Sequence, residues 1–196
     1  MAANPVPKLT AEEYIRYSAL TGLSTEFHDG EVHPVEAQTA IHDLIVTNIA
    51  SELRSAFRKL SCVRVFANTN LYIPKYPPYR PDVSLACDPK YFDEQLSAGL
   101  MNAHLIVEVL SESTQDFDRG RKRQAYQTLE SMTDYLIVSQ WEPLVEHWKR
   151  TGGSSWSVQE RKINDSVFLS LNLPASNPVE IALSEIYYGL PFPEKP

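Results

Sequence analysis

"HLIVEVLSESTQDFDRGRKRQAY", residues 104–126, joins a nearly continuous apolar run to a segment crowded with Lys and Arg. A run this apolar reads as a strand at the centre of a sheet, covered on both faces. Glu108 interrupts it. Period-two alternation places Ile106, Glu108 and Leu110 on one face and Leu105, Val107 and Val109 on the other. A carboxylate in such a place must be paired, protonated or bound to a cation, because an isolated charge in a dry interior is too costly. The plainer alternative is a structural salt bridge, or an exposed acid at the strand end beside Ser111.

The segment after the strand offers a partner. A helix is expected over 116–131, with Lys122 in register with Ala125, Tyr126 and Leu129. Asp118, four residues earlier, shares that face. A lysine leaning over Glu108 can hold the acid ionised, orient a water or stabilise charge on a phosphate. The competing reading is a plain Asp118–Lys122 helix pair, worth only about a few tenths of a kcal/mol. Arg119, Arg121 and Arg123 surround the lysine and would suit a phosphate backbone or a solvated helix face equally well.

Upstream, Asp82 follows Arg80-Pro81 at the mouth of a second apolar strand, "DVSLAC". Two acids at the ends of adjacent strands can converge on one hard cation such as Mg²⁺, which favours oxygen ligands. Taken alone, Asp82 reads as a strand cap. A long helix precedes these strands: Thr39 is its expected cap, and "AIHDLIVTNIASELRSAFRKL" runs about 20 residues with helical period. Ile41, Leu44, Ile45, Ile49, Leu53, Ala56 and Leu60 form its apolar stripe, and His42 and Glu52 fall inside it. Glu52 is a candidate third acid; Glu31 competes for that role. A buried His42 suits a structural hydrogen bond.

Around this centre, "TEFHDGEVHPV" predicts a hairpin, with strands 24–28 and 31–35 about Asp29-Gly30. "CVRVFANTNLYIP" predicts strands near 62–67 and 69–73. The proline-rich "KYPPYRP" cannot be helical; its Lys75, Tyr76, Tyr79 and Arg80 fit either a nucleic-acid contact or a surface loop. Residues 88–102 read as a loop, with room for a helical turn. "DYLIVSQ" and "PLVEHWKR" read as strands joined around Trp141-Glu142, "SWSVQERK" and "VFLSLNL" as an antiparallel extension, and "PVEIALSEIYYGLPF" as a short helix and tail. The expectation is an α+β fold with an α/β core: a mixed sheet flanked by helices, with an N-terminal hairpin. One domain over 1–196, with its core at about 10–190, suits a chain of 196 residues.

The formal charge of −7, from 18 Lys+Arg against 25 Asp+Glu, argues against a basic coat for non-specific nucleic-acid binding, though not against a local basic groove. No apolar run is long enough to span a membrane, and no secretory leader is visible, so a cytoplasmic location is expected. Cys62 and Cys87 read accordingly as buried thiols in a reducing compartment. His28, His33, His104 and His147 have no zinc-ligand spacing.

With "FHDGEV", His42, "RPDVSL", residues 105–126 and "DYLIVSQWEPLVEHW" in hand, the chain resembles the Uma-type restriction-endonuclease family of the PD-(D/E)XK nuclease superfamily, over roughly residues 10 to 190. The 81–138 portion is the specific part: strand acids, a Ser-x-Ser-Thr turn, Asp118, Lys122 and Tyr126 occur there in order. The resemblance implies a restriction-endonuclease-like core that hydrolyses DNA, duplex DNA in the first instance, with Mg²⁺ or Mn²⁺ in its place. It implies Asp82 and Glu108 as metal ligands and Lys122 as the group that orients water or stabilises charge. Glu52 or Glu31 would complete the shell, and His42, Asp118 and Tyr126 are further candidates. The superfamily's plain pattern has a lysine two residues after the second acid; here that residue is Leu110, and Lys122 is the candidate replacement. A homodimer is expected because many duplex-cleaving nucleases work in pairs. Two alternatives stay open: a catalytically silent nuclease fold used for binding or dimerisation, which Leu110 and the negative charge favour, and a small-substrate hydrolase, which predicts an enclosed pocket. Lys122 turned toward the acids favours the enzyme; Lys122 turned to solvent does not.

Overall fold

The computed structural model describes residues 8–28, 30–34, 38–171, 173 and 177–190. It opens with a helix outside the elements expected from the sequence, α1 (Ala11–Thr21). Its signal is nevertheless in the sequence. The Thr10 hydroxyl accepts from the Glu13 N–H at 3.2 Å, and the Glu13 carboxylate accepts from the Thr10 N–H at 2.8 Å. That reciprocal pair satisfies two of the helix's orphan donors.

β1 (Thr25–His28) and β2 (Glu31–Pro34) form the expected hairpin, with Phe27 opposite Val32; Asp29 lies outside the described residues. α2 (Ala40–Phe57) starts where the cap predicts, the Thr39 hydroxyl accepting from the His42 N–H at 3.1 Å. It buries His42, Ile45, Val46, Ile49, Leu53 and Phe57. Ile41 and Leu44, expected in the stripe, are instead exposed. The buried line runs one residue round the helix from them, because Val46 and Phe57 fill the seam against the sheet.

β3 (Val63–Ala67) is followed by no second strand at 69–73. The chain turns sharply at Asn68 (φ 51°), and Leu71 makes only isolated bridges to Tyr79 and Leu100. β4 (Val83–Cys87) matches the expected strand. Residues 88–102, expected as loop, fold instead into a small hairpin of β5 (Tyr91–Asp93) and β6 (Ala98–Leu100). β7 (Leu105–Val109) is the buried central strand. The helix after it is a composite: α3 (Gln115–Phe117), a π-helical turn (Asp118–Lys122) and α4 (Arg123–Tyr126). It stops at 126 rather than 131. The Arg150 guanidinium collects the carbonyls of Gln127, Leu129 and Met132 at 2.7–2.9 Å, fixing that stretch as turns.

β8 (Asp134–Val138), β9 (Leu144–Gly152) and β10 (Ser155–Lys162) complete a six-stranded sheet of order β10-β9-β8-β7-β4-β3, in which only the β7–β8 pair is parallel. β11 (Ser166–Leu169) does not extend it as expected; it pairs with β12 (Val179–Ala182) in a separate ribbon that leads into α5 (Leu183–Ile186). One face of the main sheet packs on α2, α5 and the ribbon through Ile45, Leu53, Leu85, Leu105, Val107 and Leu169. The other packs on the composite helix through Ile106, Leu110, Ala125, Tyr126, Leu129 and Tyr135. The mixed sheet flanked by helices is thus the architecture the sequence predicts.

The cysteines differ from expectation. Cys62 and Cys87 are joined in a disulfide, with Cα atoms 4.7 Å apart. The β3–β4 register sets Val63 opposite Cys87 and so brings Cys62 beside it. A sequence separation of 25 concealed the pair. Among the described residues no helix is long and apolar enough to cross a membrane.

Candidate active site

The β4–β7 register decides the geometry. Val83 faces Val107 and Ser84 faces Ile106; continued by one residue, the same ladder sets Asp82, just ahead of β4, opposite Glu108, where Glu108 meets the composite helix and Asp82 meets the start of α2. The Val109 N–H donates to Asp82 Oδ2 at 2.7 Å, and His42 Nε2 lies 3.3 Å from the same oxygen. Asp82 is therefore gripped through one oxygen from both sides, and Oδ1 has no partner among the described residues.

Glu108 is 2% exposed. Its Oε1 accepts from Lys122 Nζ at 3.0 Å and from the Tyr126 hydroxyl at 2.6 Å, which again leaves the second oxygen uncommitted. Lys122 also reaches Asp118 Oδ1 at 2.8 Å. Asp118, 1% exposed, accepts from the Thr114 hydroxyl at 2.8 Å, and its carbonyl accepts from the Tyr135 hydroxyl at 3.1 Å. Asp118 and Lys122 bound the π turn. Such turns are rare and frequently sit at functional sites, and this one was not legible from helical periodicity.

The electrostatics follow from burial. It pushes the Glu108 carboxyl up to about 8, Asp118 and Asp82 adding to the rise and the Lys122 ammonium opposing it. Burial alone would lower the Lys122 pKa, but Glu108 and Asp118 override it and hold the ammonium charged, above the ordinary lysine range. Burial likewise raises Tyr126 and Tyr135 well above ordinary tyrosine, so both remain hydrogen-bond donors. For His42 burial pulls downward, and the Asp82 and Asp43 carboxylates more than offset it, leaving a net upward shift.

The acids, His42 and Lys122 line a cavity of about 340 Å³, with Glu26, Asp43, Asp82, Glu108 and Asp118 against Arg80 and Lys122. A wider groove of about 1100 Å³ shares Glu26, Arg80, Ser111, Thr114 and Lys122 with it. Asp82, Glu108, Lys122, His42, Asp118 and Tyr126 are thus brought together. Glu52 is not: it sits ten residues beyond His42 on α2, about 15 Å along the axis, and lines neither cavity. Glu31 is not either; it is exposed on β2 beside Lys8 (3.6 Å) and His33 (3.8 Å). Glu26, two residues before His28 on β1, is the acid that the hairpin does bring to the cavity. Its alternation with Phe27, whose ring packs inward on Tyr14, was the available signal. The arginines around Lys122 are largely committed elsewhere, Arg119 to Glu146 at 2.7 Å and Arg123 over the Trp148 ring at 4.2 Å.

The fold and this acid–lysine arrangement define a restriction-endonuclease-like protein. A putative nuclease of the DUF820 group from Anabaena variabilis shares the fold, at a TM-score of 0.65 and 14% identity, over 91% of this chain and 97% of that one. Residues 11–182 match the family model Uma2, described as "Putative restriction endonuclease", and the chain belongs to that family. Two uncharacterized proteins of Synechocystis sp. are similar to it. One, slr1290, is 27% identical over 96% of both chains; the other, sll1609, is 28% identical over 78% of this chain and 86% of its own.

Proposed function

We propose that the protein is a metal-dependent endonuclease that hydrolyses DNA phosphodiester bonds. The observation that carries this reading is the placement of Asp82 and Glu108 opposite one another across the β4–β7 ladder, with Lys122 turned onto Glu108 at 3.0 Å rather than to solvent. Family membership supports the same reading.

The residues fit a hard divalent cation. Asp82 Oδ1 and the second oxygen of Glu108 are uncommitted carboxylate donors, and the cavity's acids outnumber its cations. Mg²⁺ is usually held by one or two carboxylates, its remaining positions being taken by water and phosphate. When bound there, such an ion polarises the phosphate and lowers the pKa of an attacking water.

The chain's own residues do the rest. His42 and the Val109 amide hold Asp82 in one rotamer, and Tyr126 does the same for Glu108, so neither acid must reorganise when substrate arrives. Lys122, kept charged by Glu108 and Asp118, stabilises negative charge developing on the phosphate oxygens. Arg80 stands two residues before Asp82, lines both cavities and has no ion pair among the described residues; it is placed to receive a flanking phosphate.

The reading is tested by incubating the protein with Mn²⁺ or Mg²⁺ and both native and heat-denatured DNA, beside Asp82→Ala and Lys122→Ala. Cleavage lost in both variants, with Mn²⁺ binding by calorimetry lost in Asp82→Ala, is expected. Cleavage untouched by either change overturns the site.

A further inference from the structure

We infer that the strand cut at this site enters unpaired: the 1100 Å³ groove is built for single-stranded DNA, with Trp141 as the platform on which one base stacks and Arg80 as the anchor for a phosphate. The inference rests on the hydrolytic reading above and narrows its substrate.

Trp141 is the first observation. It lines the groove and is 51% exposed, a large apolar ring left in water beside a polar site. Its turn is not loose. The Ser139 hydroxyl accepts from the Trp141 and Glu142 N–H groups at 3.2 and 3.3 Å. The buried Tyr187 hydroxyl bonds to the Ser139 carbonyl at 3.0 Å and the Leu144 carbonyl at 2.8 Å, and Gln140 is tied to Thr39 (2.7 Å) and to the Leu110 carbonyl (2.8 Å). The ring is therefore presented on a pinned support at little entropic cost. Among the described residues the indole makes no side-chain hydrogen bond and no ring-to-ring pair.

Charge is the second. Duplex DNA carries one negative charge per about 1.7 Å of helix axis, and proteins that grip it neutralise several phosphates with Lys and Arg. Among the described residues the lining offers Arg80 and Lys122 as its lysine and arginine cations, with Glu26 and Glu112 also in the lining. Lys122 is already held by Glu108 and Asp118. One free guanidinium can seat one phosphate but cannot track a duplex backbone. A strand that offers its bases can bind by stacking instead, and every base has a π-face for Trp141.

The test is equilibrium binding of a fluorescent single-stranded DNA oligonucleotide, its duplex and the matching single-stranded RNA, to the full chain with Ca²⁺ in place of Mg²⁺. Cleavage is assayed in parallel with Mn²⁺ on the single strand and the duplex. Single-stranded DNA should bind at least about 10-fold tighter than duplex; Trp141→Ala should weaken it by about 10-fold or more, and Trp141→Phe should restore most of the loss. The logarithmic salt slope should be shallow, near −1, and Arg80→Gln should flatten it. Duplex bound as tightly as the single strand, no effect of Trp141→Ala, RNA bound more tightly than DNA, or no nucleic acid bound at all each overturns the inference. The two readings separate cleanly. Duplex cleavage that needs Asp82 but ignores Trp141 leaves the hydrolase standing and removes the single-strand assignment. Trp141-dependent strand binding without cleavage under any metal does the reverse.

Discussion

The two faces of the central sheet are built to different ends. On the α2 face, β4 and β7 present Val83, Leu85, Leu105 and Val107, all buried against Ile45, Ile49 and Leu53, with no charge among them. On the opposite face the same two strands present Ser84, Ile106 and Glu108, the covering helix adds Asp118, Lys122 and Tyr126, and Asp82, at the head of β4, joins them while held by His42 from the start of α2. Alternation along two five-residue strands thus separates a dry adhesive surface from a buried charge network. The first contributes stability. The second consumes it, since burying charges costs more than their mutual attraction returns unless the geometry is good.

That contrast can be broken from the charged side. Lys122→Met leaves Glu108 and Asp118 buried without their counter-ion, and the expected loss is about 3–5 kcal/mol of unfolding free energy by urea titration, together with loss of cleavage. Converting the network as a whole, with Lys122→Met, Glu108→Leu and Asp118→Asn together, should recover most of that stability while cleavage stays absent. If the triple variant is no more stable than Lys122→Met alone, the network is adhesive like the other face and the contrast fails. On the α2 face, Leu85→Ala should cost about 3 kcal/mol through lost transfer energy and the cavity left behind, without a charge partner whose removal could compensate.

The strand edge shared by both faces sharpens the comparison. The Cys62–Cys87 disulfide closes a loop of sequence separation 25 at the end of β4 remote from Asp82. Replacing both cysteines by serine should lower unfolding free energy by about 2–3 kcal/mol, chiefly by freeing the unfolded chain. Strand cleavage should change little, because Asp82 is held by Val109 and His42 rather than by the staple.

Much of this was legible where a local rule decides the outcome. Alternation put Glu108 on its face, helical register put Lys122 with Ala125 and Tyr126, and the Asp29-Gly30 turn set the hairpin. What escaped depends on pairing between distant segments. The disulfide needed the β3–β4 register, the 88–102 hairpin needed its own cross-strand partner, and the end of α4 needed Arg150 from β9. Glu52 lies away from the cavity for a related reason: helical phase places it near His42's side, but phase says nothing of the distance along the axis. Glu26 was overlooked because an acid in a short hairpin strand looks solvent-exposed until another element is folded over it.

The charged face is not polar throughout, and His104 marks where its chemistry ends. It precedes β7 at the far end from Glu108, half-buried, with Nδ1 accepting from the Cys87 N–H at 3.4 Å. Burial lowers its pKa below the ordinary 6.5, the Asn102 backbone contact opposing only in part. The unfolded chain therefore takes up this proton more readily than the folded one. His104 adds stability that is complete above the unfolded value of 6.5 and is lost as pH falls through the lower folded value. His42 works in the opposite sense, its raised pKa favouring the folded state as it protonates. Urea midpoints followed from about pH 7 to about pH 5 for the wild type and His104→Gln should isolate the term, the variant losing less stability on acidification. Parallel curves would mean that this end of the sheet hydrates freely, and that the dry environment is confined to the ladder around Asp82 and Glu108.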